Sequence, residues 1–178
     1  MNAAKIVSIL VVFISILLLV GCFSDNSLTK MEEENIATIR YIHAEMAKGN
    51  IEVFDEVLAP NYVRHCQAMP PGLQEMHGSE QLKAFVGDFI SAVSNYSETF
   101  DVIVADSDKV AYVTTMAGTQ SGPMGGLPAS GKPFTCVNII IQRFEAGKIA
   151  ETWVSWDNVA MLSQLGFFPP PAPLKGKP

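Results

Sequence analysis

Apolar residues recur at two different periods along this chain, and the change of period divides its mature part into two halves. Ile36, Ile39, Ile42 or His43, and Met46 fall at helical spacing. Glu32, Glu33 and Glu34 supply the negative charge favoured in a first turn, Ser27 or Thr29 is available as cap, and Gly49-Asn50 is a stop. Val53, Phe54, Val57 and Leu58 predict a second, short helix over Ile51 to Leu58, ended by Pro60. Tyr62-Val63-Arg64-His65 reads as extended, and Met69 to Gly78 as a Pro/Gly-rich loop. Ser79 is the expected cap of a third helix, with Leu82, Phe85, Val86, Phe89, Ile90 and Val93 on one face.

From Thr99 onward the pattern alternates. Thr99 to Ala105, Val110 to Gln120, Phe134 to Phe144 and Ile149 to Trp156 are rich in β-branched and aromatic residues, which predicts four strands. Asp106-Ser107-Asp108 and Ala146-Gly147 fall between neighbouring strands as tight turns, and Gly122 to Pro133 is a longer connection. Val159, Leu162 and Leu165 predict a last helical turn or two before Gly166, followed by a Pro-rich tail. Helices followed by an antiparallel meander give an α+β domain, with helices covering one face of the sheet. No internal repeat is visible.

The first 21 residues belong to a different object. Lys5 precedes a 15-residue apolar run, Ile6 to Val20, broken only by two serines. That run is shorter than the roughly 20 residues needed to span a bilayer core, and it matches a signal peptide. Leu19-Val20-Gly21-Cys22 resembles the bacterial lipobox, in which the cysteine takes diacylglycerol before cleavage. The alternative is an uncleaved anchor with Cys22 incidental. Both place the remainder outside the cytoplasm, in the cell envelope. The expected organisation is a signal peptide over 1–21, a linker over 22–30, one domain over 31–166 and a tail over 167–178.

Charge narrows the partners. The whole chain carries a formal net charge of −6, which becomes −7 without Lys5, and no basic cluster interrupts it. Such a surface repels phosphate backbones, so nucleic-acid binding is not expected. Cys66 and Cys136 either pair as a disulfide or stay as buried thiols. No Cys/His cluster has zinc-site spacing, and no metal is expected. Val137, Ile139 and Ile141 alternate on what should be the outer sheet face. An apolar face of this kind predicts a cover, most simply a second copy in a homodimer.

Four blocks of sequence, in order, resemble one known family. They are Gly49-Asn50-Ile51 with Leu58 to Val63 and His65; Gly78 to Phe85 with Phe89; Gly118-Thr119, Gly122 and Gly126 to Lys132; and Arg143-Phe144, Gly147-Lys148-Ile149, Glu151, Trp153, Asp157 and Gln164-Leu165-Gly166. Over about Glu33 to Gly166 the chain is similar to the SnoaL-like polyketide cyclase, or ester cyclase, family of the nuclear-transport-factor-2-like cone fold. The resemblance implies a curled antiparallel sheet wrapped by about three helices, enclosing an apolar pocket for a small hydrophobic molecule. It also implies aldol-type ring closure without metal or cofactor, driven by a base beside a carbonyl and donors for the developing enolate.

The expected proton-handling pair is Asp157, at the end of the last strand, and His65, which the resemblance points into the pocket. Asp157 is better placed to cap the final helix, and His65 is equally placed to sit at the rim on a backbone carbonyl. Asn138, in phase with Phe134, Cys136 and Ile140, is expected to orient a carbonyl. Trp153, Trp156, Met116 and Ile140 are expected to line the pocket. By pleat, Arg64 is then expected to meet solvent or an Asp or Glu side chain. His43 and His77 are expected at the surface or rim. Three positions depart from the family. Its aspartate falls at Val154, its strand histidine at Ile140, and its histidine after Gly-Thr at Gln120. Two readings follow, a tethered binding module and a cofactor-independent acid/base enzyme.

Overall fold

A computed structural model describes residues 29–168. The expected signal peptide, Cys22, the candidate cap Ser27, most of the expected linker, and the expected tail from residue 169 lie outside the described residues. Helix α1 covers residues 29–47, so Thr29 and Lys30 are already helical where a linker was expected. α1 buries Ile39 and Ile42 and stops at Gly49, whose φ of 82° continues no helix. Helix α2 is Val53–Val57 and runs straight into strand β1, Leu58–His65.

A three-residue strand, β2 (Glu75–His77), emerges from the expected loop and pairs antiparallel with β1. Helix α3 is Gly78–Ala92. Its cap position is His77 rather than Ser79, and the His77 N–H donates to Gln81 Oε1 at 2.8 Å, so a side chain one turn on satisfies the helix start. Val93, expected on the helix, instead opens strand β3, Val93–Asp106. β4 (Lys109–Gln120), β5 (Pro133–Glu145) and β6 (Lys148–Trp156) complete the sheet, and α4 (Asn158–Leu165) ends the domain.

The fold is α+β, with a curled six-stranded sheet in the order β2-β1-β6-β5-β4-β3. β3 to β6 form the antiparallel meander that alternation predicts. β1, however, pairs with β6 in parallel, so the sheet is mixed. A parallel neighbour needs a long crossover. Here α3 and the whole meander provide it, a connection that local sequence cannot reveal. β3 shifts register twice, between Ser94 and Ser97 and between Phe100 and Val102. Such bulges bend a strand and strengthen its twist. The second also reverses parity, so Phe100, Ile103 and Ala105 face inward while Val102 and Val104 face out. At the β5–β6 turn Ala146 and Gly147 both have positive φ, 49° and 76°, the mirror-image turn that suits strand twist. Gly118 is required by close packing: a methyl there would collide with Val93.

Two apolar clusters fill the cone. One joins Ile39, Ile42, Val53, Phe54 and Tyr62 to Val110, Tyr112, Ile140, Phe144 and Ile149. The other joins Val93, Met116, Phe134 and Cys136 to Met161 and Leu165 of α4. The inward residues of α4 are therefore Met161 and Leu165, while Val159, expected on that face, is exposed. Cys66 and Cys136 are both buried free thiols. No helix among the described residues is long and apolar enough to cross a membrane.

Candidate functional site

Between the two apolar clusters runs a band of polar side chains. On β4 the clusters meet at Thr114, between Tyr112 and Met116; on β5 they meet at Asn138, between Ile140 and Cys136. On β3 they meet at Glu98, between Phe100 and Tyr96. Thr114 pairs with Asn138 across β4–β5, and Asn138 pairs with Trp156 across β5–β6, so the band crosses four strands. Asn138 faces inward with Phe134, Cys136 and Ile140, as alternation predicts, and donates to Thr114 Oγ1 at 3.3 Å.

Helix α1 completes the band. His43, one turn on from Ile39, brings Nδ1 to 2.7 Å from Glu98 Oε2 and Nε2 to 3.4 Å from the Tyr112 hydroxyl. Tyr96 donates to the same Glu98 oxygen at 2.6 Å. The ring of His43 lies edge-on to Phe100 and Tyr112. Burial by itself raises the Glu98 carboxyl. The hydrogen bond and charge of His43, with the Thr114 and Tyr96 hydroxyls, outweigh it and bring Glu98 down to about 2. Burial, and then the Glu98 charge, push the Tyr96 and Tyr112 phenols upward, so both remain protonated donors. The His43 and Glu98 side chains retain 15% and 9% exposure.

Arg64 enters the cone from the other side. Strand β1 lies in register with β6 so that Arg64 is level with Thr152, which is buried, and His65 is level with Trp153, which is exposed. The expected parity is thus reversed. Arg64 is the inward residue, only 5% exposed, with its guanidinium 4.8 Å from the Phe85 ring and 5.8 Å from that of Trp156. Its hydrogen bond is to Met76 Sδ at 3.8 Å. Desolvating such a cation costs several kcal/mol, and aromatic faces return only about 1–2 kcal/mol.

His65 points outward. Its Nε2 lies 2.9 Å from Glu151 Oε1, its Nδ1 3.3 Å from Glu75, and its ring stacks on Trp153. Tyr62 and Arg64 take the inner side of β1, and successive strand residues alternate, so His65 has no path to the cone. Trp153 shares the outer face and cannot line a pocket inside. Asp157 is exposed and caps α4, accepting the Ala160 N–H at 2.9 Å. Its carboxylate is therefore engaged at the helix start. Met116 and Ile140 face inward but serve as members of the two apolar clusters. Trp156 does face inward, and its indole N–H is buried without a hydrogen-bond partner. His77 is exposed, beside Glu75.

Ile140 and Val154 are cross-strand partners on the inner face. The family's strand histidine and aspartate positions are thus adjacent, and both are aliphatic here. Gln120, at the third departure, is wholly buried. Its side chain donates to Pro128 O at 3.1 Å and accepts from Ser130 N at 3.3 Å, clasping the long loop rather than facing a ligand.

Several side chains packed against the two clusters remain only half-buried, among them Phe85, Phe89, Tyr96, Val154 and Trp156. An open groove between α2 and α3 lies outside the cone, and its Lys83 is already held by Asp55, Glu80 and Glu52. Among the described residues no three His, Cys, Asp or Glu are grouped to hold a metal ion.

Residues 36–165 match the sequence profile of SnoaL-like polyketide cyclases. The chain belongs to that family. Solved structures agree. TsrD from Streptomyces laurentii is 28% identical with a TM-score of 0.67, the match covering 77% of this chain and 98% of TsrD. IdmH from Streptomyces antibioticus, a candidate polyketide cyclase, is 31% identical with a TM-score of 0.62, covering 74% and 98%. A candidate SnoaL-like polyketide cyclase from Jannaschia shares the fold at 21% identity, with a TM-score of 0.69 and coverage of 79% and 96%. No curated protein matches the chain. Within this SnoaL-like frame Glu98 is the residue that sequence reasoning misses, because the strand begins at Val93 and not at the expected Thr99. The Tyr96-x-Glu98-x-Phe100 alternation was the signal that carried it.

Proposed function

We propose that this SnoaL-like domain binds an apolar carbonyl compound inside the cone and moves a proton on it, with His43 as base. The observation that carries the reading is the 2.7 Å pairing of His43 with the Glu98 carboxylate on the inner face. A carboxylate held ionised on Nδ1 fixes the imidazole tautomer that presents a lone pair at Nε2, and it stabilises the imidazolium formed when that lone pair takes a proton. The contact of Nε2 with Tyr112 is long at 3.4 Å and is readily given up to a substrate C–H. Asn138, with one amide N–H left after Thr114, is placed to donate to the enolate oxygen. Return of the proton to another atom isomerises the compound; attack of the enolate on a second carbonyl closes a ring.

The test is solvent-deuterium exchange at the acidic carbons of aryl ketones and 1,3-diketones, followed by mass spectrometry. The wild-type protein should exceed buffer, and His43→Asn should lower the excess by about 10²- to 10³-fold. Equal rates for the two proteins would remove His43 from the chemistry.

The domain is further proposed to act at a membrane, held by lipid on Cys22; the Leu19-Val20-Gly21-Cys22 run supports this. The full chain should sediment with membranes and carry a diacylglycerol mass that Cys22→Ser removes. A second copy is the proposed cover of the outer sheet face. Val102, Val104, Val137, Ile139, Ile141 and Trp153 are exposed there, and they are contiguous. Val102, Val113 and Ile139 stand in one row across β3, β4 and β5, and Ile141 stands beside Trp153. A face of this kind matches itself about a two-fold axis. Residues 29–168 should sediment as a dimer at micromolar concentration, and Ile139→Lys should shift the species to monomer. A monomeric wild type would refute the dimer.

A further inference from the structure

We infer that Arg64 and Trp156 form an anion subsite in the cone, which receives a carboxylate carried by the apolar ligand. This rests on the reading of the cone as the ligand chamber and names the class of compound it takes. A guanidinium has five N–H donors arranged as a planar fork. At Arg64 the structure gives them one hydrogen bond, to the thioether of Met76, a weak acceptor. The two aromatic rings beside the group, Phe85 and Trp156, accept no conventional hydrogen bond from its edge. The indole N–H of Trp156 is also buried without a partner. Among the described residues no oxygen accepts a hydrogen bond from either the Arg64 guanidinium or the Trp156 indole N–H.

The chain does not lack carboxylates, since it has 18 Asp and Glu, yet none forms an ion pair with Arg64 among the described residues. Glu151 lies close in sequence to Thr152, the residue level with Arg64, but it pairs with His65 and Arg143 on the outer face. Inside the cone, Glu98 is already taken by His43 and Tyr96. The interior thus holds a carboxylate whose hydrogen bonds are met at one end of the polar band, and a cation with no carboxylate partner at the other. A planar carboxylate fits the fork edge between two rings, with the indole N–H as a further donor. Asn138 sits beside Trp156 on the neighbouring strand, between this end and His43–Glu98. The ligand class is an apolar carboxylic acid whose reactive carbonyl reaches the centre of the band.

Titration calorimetry and quenching of Trp fluorescence with 2-naphthoate and its neutral isostere 2-naphthamide test this. Wild type should bind the carboxylate at least about tenfold more tightly than the amide. Arg64→Met should abolish that preference while leaving the amide within about threefold. Trp156→Phe, which keeps a ring and deletes the N–H, should reduce the preference by about threefold, and it provides the answer if Arg64→Met does not fold by circular dichroism. Equal affinity of wild type for the two probes, or no binding of naphthoate up to millimolar concentration, overturns the subsite. Proton exchange is read separately. A carboxylate preference without exchange retains the subsite and removes the acid/base reading; exchange without preference does the reverse.

Discussion

Glu98→Gln is expected to lower the unfolding free energy by about 2–3 kcal/mol at pH 7, and to flatten the acid side of the stability profile. The carboxylate is 9% exposed and carries His43, Tyr96 and a contribution from Thr114. Replacing it with an amide leaves His43 and Tyr96 with a weaker acceptor in a dry place. The sign follows from the shift. The ordinary Glu value is 4.5 and the folded value is about 2, so the carboxyl is depressed by folding. A depressed carboxyl contributes its stability above pH 4.5 and loses it as pH falls toward 2, a change of about 3 kcal/mol. Urea titrations of both proteins between pH 7 and pH 2.5 check this. The curves should converge in acid. Curves that stay parallel would show that the Glu98 charge does not couple to folding.

The second large effect is expected at Gln120. Gln120→Ala should cost about 2–4 kcal/mol, because it empties a fully buried site and leaves Pro128 O and Ser130 N unpaired. Gln120→Glu should cost at least as much despite its nearly equal shape. A carboxylate still accepts from Ser130 N but cannot donate to Pro128 O, and it buries a charge. In both variants hydrogen exchange should accelerate over Ser121 to Lys132, since the backbone of Gln120 also pairs with Gly131 and Lys132. A Gln120→Glu protein as stable as wild type would mean that the loop is held by its backbone bonds alone.

These two residues also show where reading the chain reached its limit. Gln120 was identified as a departure from the family, and its position at the end of a strand was legible. That its amide clasps a loop eight to ten residues later depends on how the loop folds back. His43 fell at the edge of the apolar stripe of its helix, where a partly buried and a rim residue look alike. Only β3, brought against α1 after some 50 residues of intervening chain, supplies its carboxylate. At β1 the error was one of parity. An alternating segment of four residues states that Arg64 and His65 face opposite ways but not which faces in. The parallel pairing with β6 decides it, placing Arg64 level with buried Thr152.

Local patterns alone determined the helices, the four meander strands, the two tight turns and the α+β class, because hydrophobic period and turn chemistry act over a few residues. The cap at Asp157 was legible for the same reason, as one of two readings. The tertiary structure decided the mixed sheet, the inward Arg64, the outward His65 and Trp153, and the His43–Glu98 pair. Each of these depends on strand pairing between segments far apart in sequence, and a bulge or a one-residue change in register reverses every side chain beyond it.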